Sequence, residues 1–351
     1  MIIKGKLLYI TAPNAGLLFR KMRFYEVNLA DGSTNEIVKV PSSIVEYLQG
    51  QLRLSARMFR REPRCTGKLS ETQFVVNMSG RLWLLDVKKK QLDELEKTRQ
   101  GYNLLNFCEV ENGLLWGDYG SNPNHEDVKI YSMGKSLCRQ IVYSFPKGSI
   151  RHIHNIQKSD DGFILMAGDN EPQAGLYRVN KDWMDLKPWK IGKQKYRAVV
   201  GFSYKGGLLY ATDSVETENH LRLIDAEGDE RDLATINGSC IYGCETKDYF
   251  IFSTTVESHE GGGLRKILSN ELGGGIKTHD VHIIAVSKLD LSIRILKKIR
   301  KDAWPMKLFQ YGMAVFPMGQ ENSVDGVWYY NMATKEGDGN SLFLSFNEQD
   351  R

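Results

Sequence analysis

Short apolar runs separated by polar turns dominate the chain, and long helical periodicity is nearly absent. The runs 74–78, 81–86, 114–117, 128–132, 163–168, 175–179, 208–212, 221–224, 250–254 and 281–286 are rich in Val, Ile, Leu, Tyr, Trp and Phe. Gly, Asp, Asn or Lys punctuates them. Such residues suit a pleated, half-buried surface, and turn residues at this spacing bound short strands. One stretch, 43–53, reads as a helix and stands out as a single insertion.

The runs repeat with a period of about 40–50 residues, which signals a propeller, a solenoid or an array. Gly113-Leu114-Leu115-Trp116-Gly117-Asp118 is echoed by 162–169, then by 207–213, and without the acid by 249–255. Each is followed by a polar loop and a second strand, such as Lys129-Ile130-Tyr131 or Gly175-Leu176-Tyr177. Four short strands per unit select an all-β propeller. The units fall at roughly 1–40, 54–95, 103–146, 151–191, 195–236, 238–299 and 306–346. That makes seven blades of four antiparallel strands, with six as the alternative count and one blade shared between the chain ends. The whole of 1–351 then reads as one domain, with an inserted glycine-rich loop at about 258–278 that holds Gly261-Gly262-Gly263 and Gly273-Gly274-Gly275.

Composition narrows the function. With 41% hydrophobic and 26% charged residues in 351, the chain is globular. A net charge of +4 without long basic runs argues against a nucleic-acid binder. Lys4 and Lys6 interrupt the first apolar run and no run is long enough to span a bilayer, so the expectation is a cytoplasmic protein without a membrane partner. Five cysteines, an odd number without a CxxC pair, suit reduced thiols. No P-loop, HExxH, GxSxG or strand-to-helix GxGxxG occurs.

In a propeller blade the start of the innermost strand lies near the end of the second strand. Second-strand ends carry Asp118, Asp169 and Asp213, and innermost-strand starts carry Arg57, Arg151, His152, Arg197 and Lys307. All are expected at one mouth of a central channel. Tyr119 and Asn122 follow the third unit's second strand, Glu257 follows the sixth unit's, and Gln310 and Tyr311 lie on the last innermost strand. Turn-capping acids and inter-blade salt bridges are the structural alternatives. Arginine in such a funnel can hold a carboxylate in a bidentate fork. Strand alternation puts the imidazoles of His152 and His154 on one face. Three uses stay open for them: hydrogen-bonded lining, acid–base chemistry, or ligands of a divalent metal.

The segments 117–124, 128–132, 149–154, 167–169, 196–199, 211–214 and 304–312 resemble bacterial sialidase-like propellers with BNR (Asp-box) repeats, a group found among polysaccharide-related genes. Ser149-Ile150-Arg151-His152-Ile153-His154 and Trp304-Pro305-Met306-Lys307 are the most specific parts. The resemblance implies a propeller and a carbohydrate-active role.

The leading expectation is action on an anionic, uronate-type oligo- or polysaccharide. As a lyase, Arg151, Arg197 or Lys307 would neutralise the sugar carboxylate, and His152, His154, Tyr119 or Tyr311 would move the proton. As a hydrolase, two of Asp118, Asp169, Asp213 and Glu257 would act as acid and base. In both versions Arg57, Asn122 and Gln310 help to bind substrate. A non-catalytic glycan-binding or scaffolding propeller is the rival from another class.

Overall fold

A computed structural model describes residues 1–168, 170–259 and 267–347. The fold is a seven-bladed β-propeller of four-stranded antiparallel sheets. The second to sixth blades start from the innermost strands Cys65–Lys68, Cys108–Val110, Ile153–Ser159, Ala198–Tyr204 and Cys240–Glu245. The first runs from Lys6–Ala12 out to Thr34–Lys39. In the seventh, Met313–Val315, Gly326–Met332 and Asn340–Ser345 are joined by the N-terminal strand Ile2–Lys4, which supplies the outer edge. The expected sharing of one blade between the chain ends is therefore seen.

The apolar runs read from sequence are the second and third strands of the blades. Both faces of these strands are covered, so Phe163, Ile164, Leu165 and Met166 are all buried. The outermost strands, such as Gln91–Lys97, are largely exposed. Their sequence Gln-Leu-Asp-Glu-Leu-Glu-Lys carries little apolar signal, which is why they escape a hydrophobicity reading.

The strands gather into two compact units. One comprises Met1–Glu62, Asp213–Leu221 and Asp232–Arg351, and the other Pro63–Thr212 and Arg222–Arg231. In the second unit, apolar layers fill the spaces between successive blades. Leu114, Trp116 and Tyr131 pack on Val75 and Leu82, while Ile153, Leu165 and Ala167 pack on Leu115, Val128 and Ile130. In the first unit, Ile3, Leu7, Leu18, Val27 and Trp328 form the layer beside the closing strand.

The insertion at 43–53 is two helices rather than one, Ile44–Gln51 and Arg53–Met58. Ser43 and Glu46 form a capping box at the first. Of the expected glycine-rich loop, Gly261-Gly262-Gly263 lies outside the described residues. Gly273 and Gly275 bond back to the backbone, donating to Glu257 and Val215. Among the described residues, no helix is long and apolar enough to cross a membrane.

Closure of the seventh blade depends on Ser341. Its hydroxyl accepts from Leu7 N–H at 2.8 Å and donates to Gly5 O at 2.8 Å, fully buried. Ser341→Ala strands both backbone groups, and a buried group left unmatched costs about 1–3 kcal/mol. Urea denaturation should show a loss of that order. An unchanged midpoint would contradict a closing role for this hydroxyl.

Candidate functional site

The second unit brings together one group of the expected residues around His152 and His154. His154 lies on the innermost strand Ile153–Ser159, at a register shift between Ile153 and Asn155, and His152 immediately precedes the strand. The shift makes His154 the extra residue of a bulge, a device that re-aims a side chain. The strand entry is pinned from both sides. Ile153 N–H donates to Asp118 O at 2.8 Å, and Gly168 N–H donates to His152 O at 3.1 Å.

The two imidazoles converge, with the bulge at His154 interrupting regular strand alternation. Their ring centroids are 5.0 Å apart, and their Nε2 atoms stand 3.2 Å apart. Nδ1 of His152 lies 2.6 Å from Gly120 O, and Nδ1 of His154 lies 2.9 Å from Ala198 O. His152 is 9% exposed and His154 4%. The Tyr119 ring covers the pair at 4.8 Å from His152 and 5.9 Å from His154, and the Arg64 guanidinium lies 5.4 Å from that ring.

Burial removes water from both rings and pushes their pKa values down to about 3. The neighbouring His154 and the charges of Arg197 and Arg151 add to the effect at His152, and Arg197 adds to it at His154. Both rings are neutral at physiological pH and weak as bases. Among the described residues no third His, Cys, Asp or Glu joins them as a metal-ligating group.

Gly168 is the residue that sequence reading undervalues. A Cβ there would lie 2.1 Å from Nε2 of His152 and 2.3 Å from Nε2 of His154. Gly117 has the matching place one blade earlier, where a Cβ would meet Ile153 at 2.4 Å. The glycine before the acid in the repeats ending at Asp118 and Asp169 is thus a close-approach signal as well as part of a turn signal.

Two other candidates in this unit are committed to structure. Asp118 is 3% exposed, and its Oδ2 accepts from Arg99 at 3.0 Å, Lys129 N–H at 3.1 Å and Tyr131 Oη at 3.4 Å. Asn122 is equally spent: it donates to Glu126 O and Arg151 O and accepts from Glu126 N–H. These contacts hold the loop after the third blade's second strand. Asp169 lies outside the described residues.

The remaining candidates belong to the first unit. Arg57 is not at a strand start but on the helix Arg53–Met58, and it is 1% exposed. It donates to Asp302 at 2.5 Å, Asp338 at 3.1 Å and Phe309 O at 2.6 Å, and Gln310 donates to the Arg57 carbonyl at 3.2 Å. This is a buried ion-pair network, placed on a helix where a strand start was expected. Lys307 sits on the short helix Met306–Phe309. Gln310 and Tyr311 precede the strand Met313–Val315 rather than lie on it, and Tyr311 packs against the core. Glu257 is 6% exposed and accepts from the hydroxyls of Ser239 and Thr255. Asp213 is 5% exposed, and its charge adds to the burial that pushes the Cys240 thiol up.

Fold and site together define a seven-bladed propeller with a buried, arginine-flanked histidine pair. No family model matches the chain, and no curated protein matches it. The propeller implied by the sialidase-like resemblance stands, while these comparisons lend no support to the BNR family itself. Among solved structures, the chain is similar to an oligogalacturonate lyase in complex with manganese, with TM-score 0.59 and 8% identity over 98% of this chain and 89% of that one. It is also similar to PorZ, a surface component of the type-IX secretion system of Porphyromonas gingivalis, with TM-score 0.56 and 10% identity over 99% of this chain and 38% of that one. The AfRom2 CNH domain matches with TM-score 0.55 and 6% identity over 99% and 96%. Identities this low establish the shared fold alone.

The histidine pair makes stability depend on acid. Free histidine titrates near 6.5, and in the folded state the pair titrates near 3. Between these limits the unfolded chain binds more protons, so stability is full above about pH 6.5 and falls as pH drops towards 3, by up to about 1.4 kcal/mol per pH unit for each ring. Urea midpoints at about pH 7 and about pH 5 check this; equal midpoints would contradict a neutral buried pair.

Proposed function

We propose that this chain is a carbohydrate-active propeller that cleaves a uronate-type glycan by β-elimination at the centre formed by His152, His154, Tyr119, Arg151 and Arg197. The observation that carries the reading is electrostatic. The positive charges of Arg151 and Arg197 bear on a neutral imidazole pair lined by an aromatic ring. A sugar carboxylate entering there meets guanidinium groups suited to bidentate pairing, and a pyranose face meets the Tyr119 ring. The fold shared with an oligogalacturonate lyase supports the substrate class, galacturonate being a uronate.

Neutralising the carboxylate acidifies the proton on C5. The Tyr119 oxygen, as phenolate, takes that proton. The C5–H electron pair forms the C4=C5 double bond while the C4–O bond breaks, and the phenol returns its proton to the leaving oxygen. The buried histidines orient Tyr119 and are too weakly basic to replace it. A lyase is favoured over a hydrolase because Asp118, one of the expected acids, is occupied by Arg99 and Lys129.

Incubation with oligogalacturonate, following the absorbance of the unsaturated product, tests the reading. The wild type should raise the absorbance. Tyr119→Phe should stop turnover while oligosaccharide binding persists. Arg197→Ala should lower kcat/KM by about 10–100-fold, the worth of about 1.5–3 kcal/mol for a hydrogen bond to a charged group, with little change in melting temperature. New reducing ends without absorbance would replace the lyase by a hydrolase, and binding without either would leave a glycan-binding module.

A further inference from the structure

The helix Ile44–Gln51 turns its apolar side to solvent. Ile44, Val45, Leu48 and Leu52 are each between 60% and 80% exposed. Successive residues of an α-helix are about 100° apart, so these four form one ridge. The opposite face is fixed by Gly50. A Cβ there would lie 2.3 Å from Cγ of the buried Met22. That close seat leaves the aliphatic ridge no way to turn inward. Basic residues line both flanks of the ridge. On one flank, Lys39 Nζ lies 3.9 Å from the centre of the Tyr47 ring. The exposed Lys21 adjoins that flank through its carbonyl, which accepts from Gln51 at 3.3 Å. On the other flank, Arg61 donates to Gln49 and Glu46. Glu46 is the helix's one acid, and its charge is met by Arg61.

We propose that this ridge docks the protein on a bilayer that carries anionic lipids, with the helix lying in the headgroup boundary. The aliphatic side chains enter the acyl boundary, and the flanking lysines and arginine stay among the headgroups. Two observations choose a lipid surface over a second copy of this chain. Four such side chains at this exposure offer roughly 200–300 Å² of apolar surface. A stable dimer needs about 800 Å² from each partner. Both flanks are basic, so a two-fold pairing of ridges sets like charges against each other. Anionic headgroups supply the opposite charge, and a bilayer needs no matching shape. The helix has only about two turns, so the association is weak and reversible. The expectation of no membrane partner came from the lack of a run long enough to span a bilayer. A helix lying on the surface needs no such run.

The ridge belongs to the first unit and the histidine centre to the second, so docking does not depend on the sugar chemistry. Full-length protein is sedimented with vesicles of phosphatidylcholine alone, and with vesicles of equal parts phosphatidylcholine and phosphatidylserine. The expected result is binding to the mixed vesicles that declines with added salt, and little binding to phosphatidylcholine alone. Replacing both Ile44→Gln and Leu48→Gln should weaken partitioning about tenfold or more. Lys21→Gln and Lys39→Gln should each weaken it about fivefold. All four side chains are exposed, so melting temperatures should match the wild type. In the wild type itself, amide hydrogen exchange over 44–52 should slow when mixed vesicles are present. Absence of binding to the mixed vesicles, equal binding to both kinds, binding unchanged in the double variant, or unaltered exchange over 44–52 would each overturn the proposal. A lipid-free dimer that the double variant splits would assign the ridge to a second copy and overturn it as well.

Discussion

Two backbone carbonyls fix the orientation of the buried histidine pair. Gly120 O belongs to the loop after the third blade's second strand, and Ala198 O belongs to the fifth blade's innermost strand. They flank the fourth blade, which carries the histidines. Stacking three consecutive blades therefore sets the tautomer of both rings. A loop or a single sheet could not hold both acceptors in place, because each comes from a different layer. The Arg99–Asp118 pair and the Asn122 staple hold the third blade's contribution, and the bulge at His154 turns the second ring towards the first.

The same physics separates buried charges that build the fold from those that serve a site. Arg57 and Asp118 are each held by oppositely charged side chains, and removing those partners would leave a charge in a poorly solvated interior. Glu230 is a further hub of this kind, accepting from Lys195, Tyr196 and Arg222; burial pushes its pKa up, and the hydrogen bonds from Lys195, Tyr196 and Lys190 outweigh that and hold it at about 2. Arg151 and Arg197 bear on the histidine pair, where their charges add to the effect of burial in keeping the imidazoles neutral.

Much of the propeller is legible in the chain because its middle strands are buried on both faces and read as continuous apolar runs. The unit boundaries follow from those runs, and the closing N-terminal strand follows from the need to pair the last edge. Outer strands such as Gln91–Lys97 are hidden because solvent lets them be polar. The HxH spacing is legible in the chain, but the bulge that turns the His154 ring towards His152 is not. Arg57 misleads because the insertion extends through a second helix, so position in the repeat does not give position in space. Gly168 and the two carbonyls escape sequence reading altogether. One acts by lacking a side chain, and the others are backbone atoms that every residue possesses.

The central claim is a statement about protons, and ¹⁵N–¹H correlation across the imidazole rings of the protein near neutral pH tests it directly. Both His152 and His154 should appear as the neutral tautomer with hydrogen on Nδ1 and none on Nε2. A proton on either Nε2, whether from the opposite tautomer or from an imidazolium shared between the rings, would contradict the account.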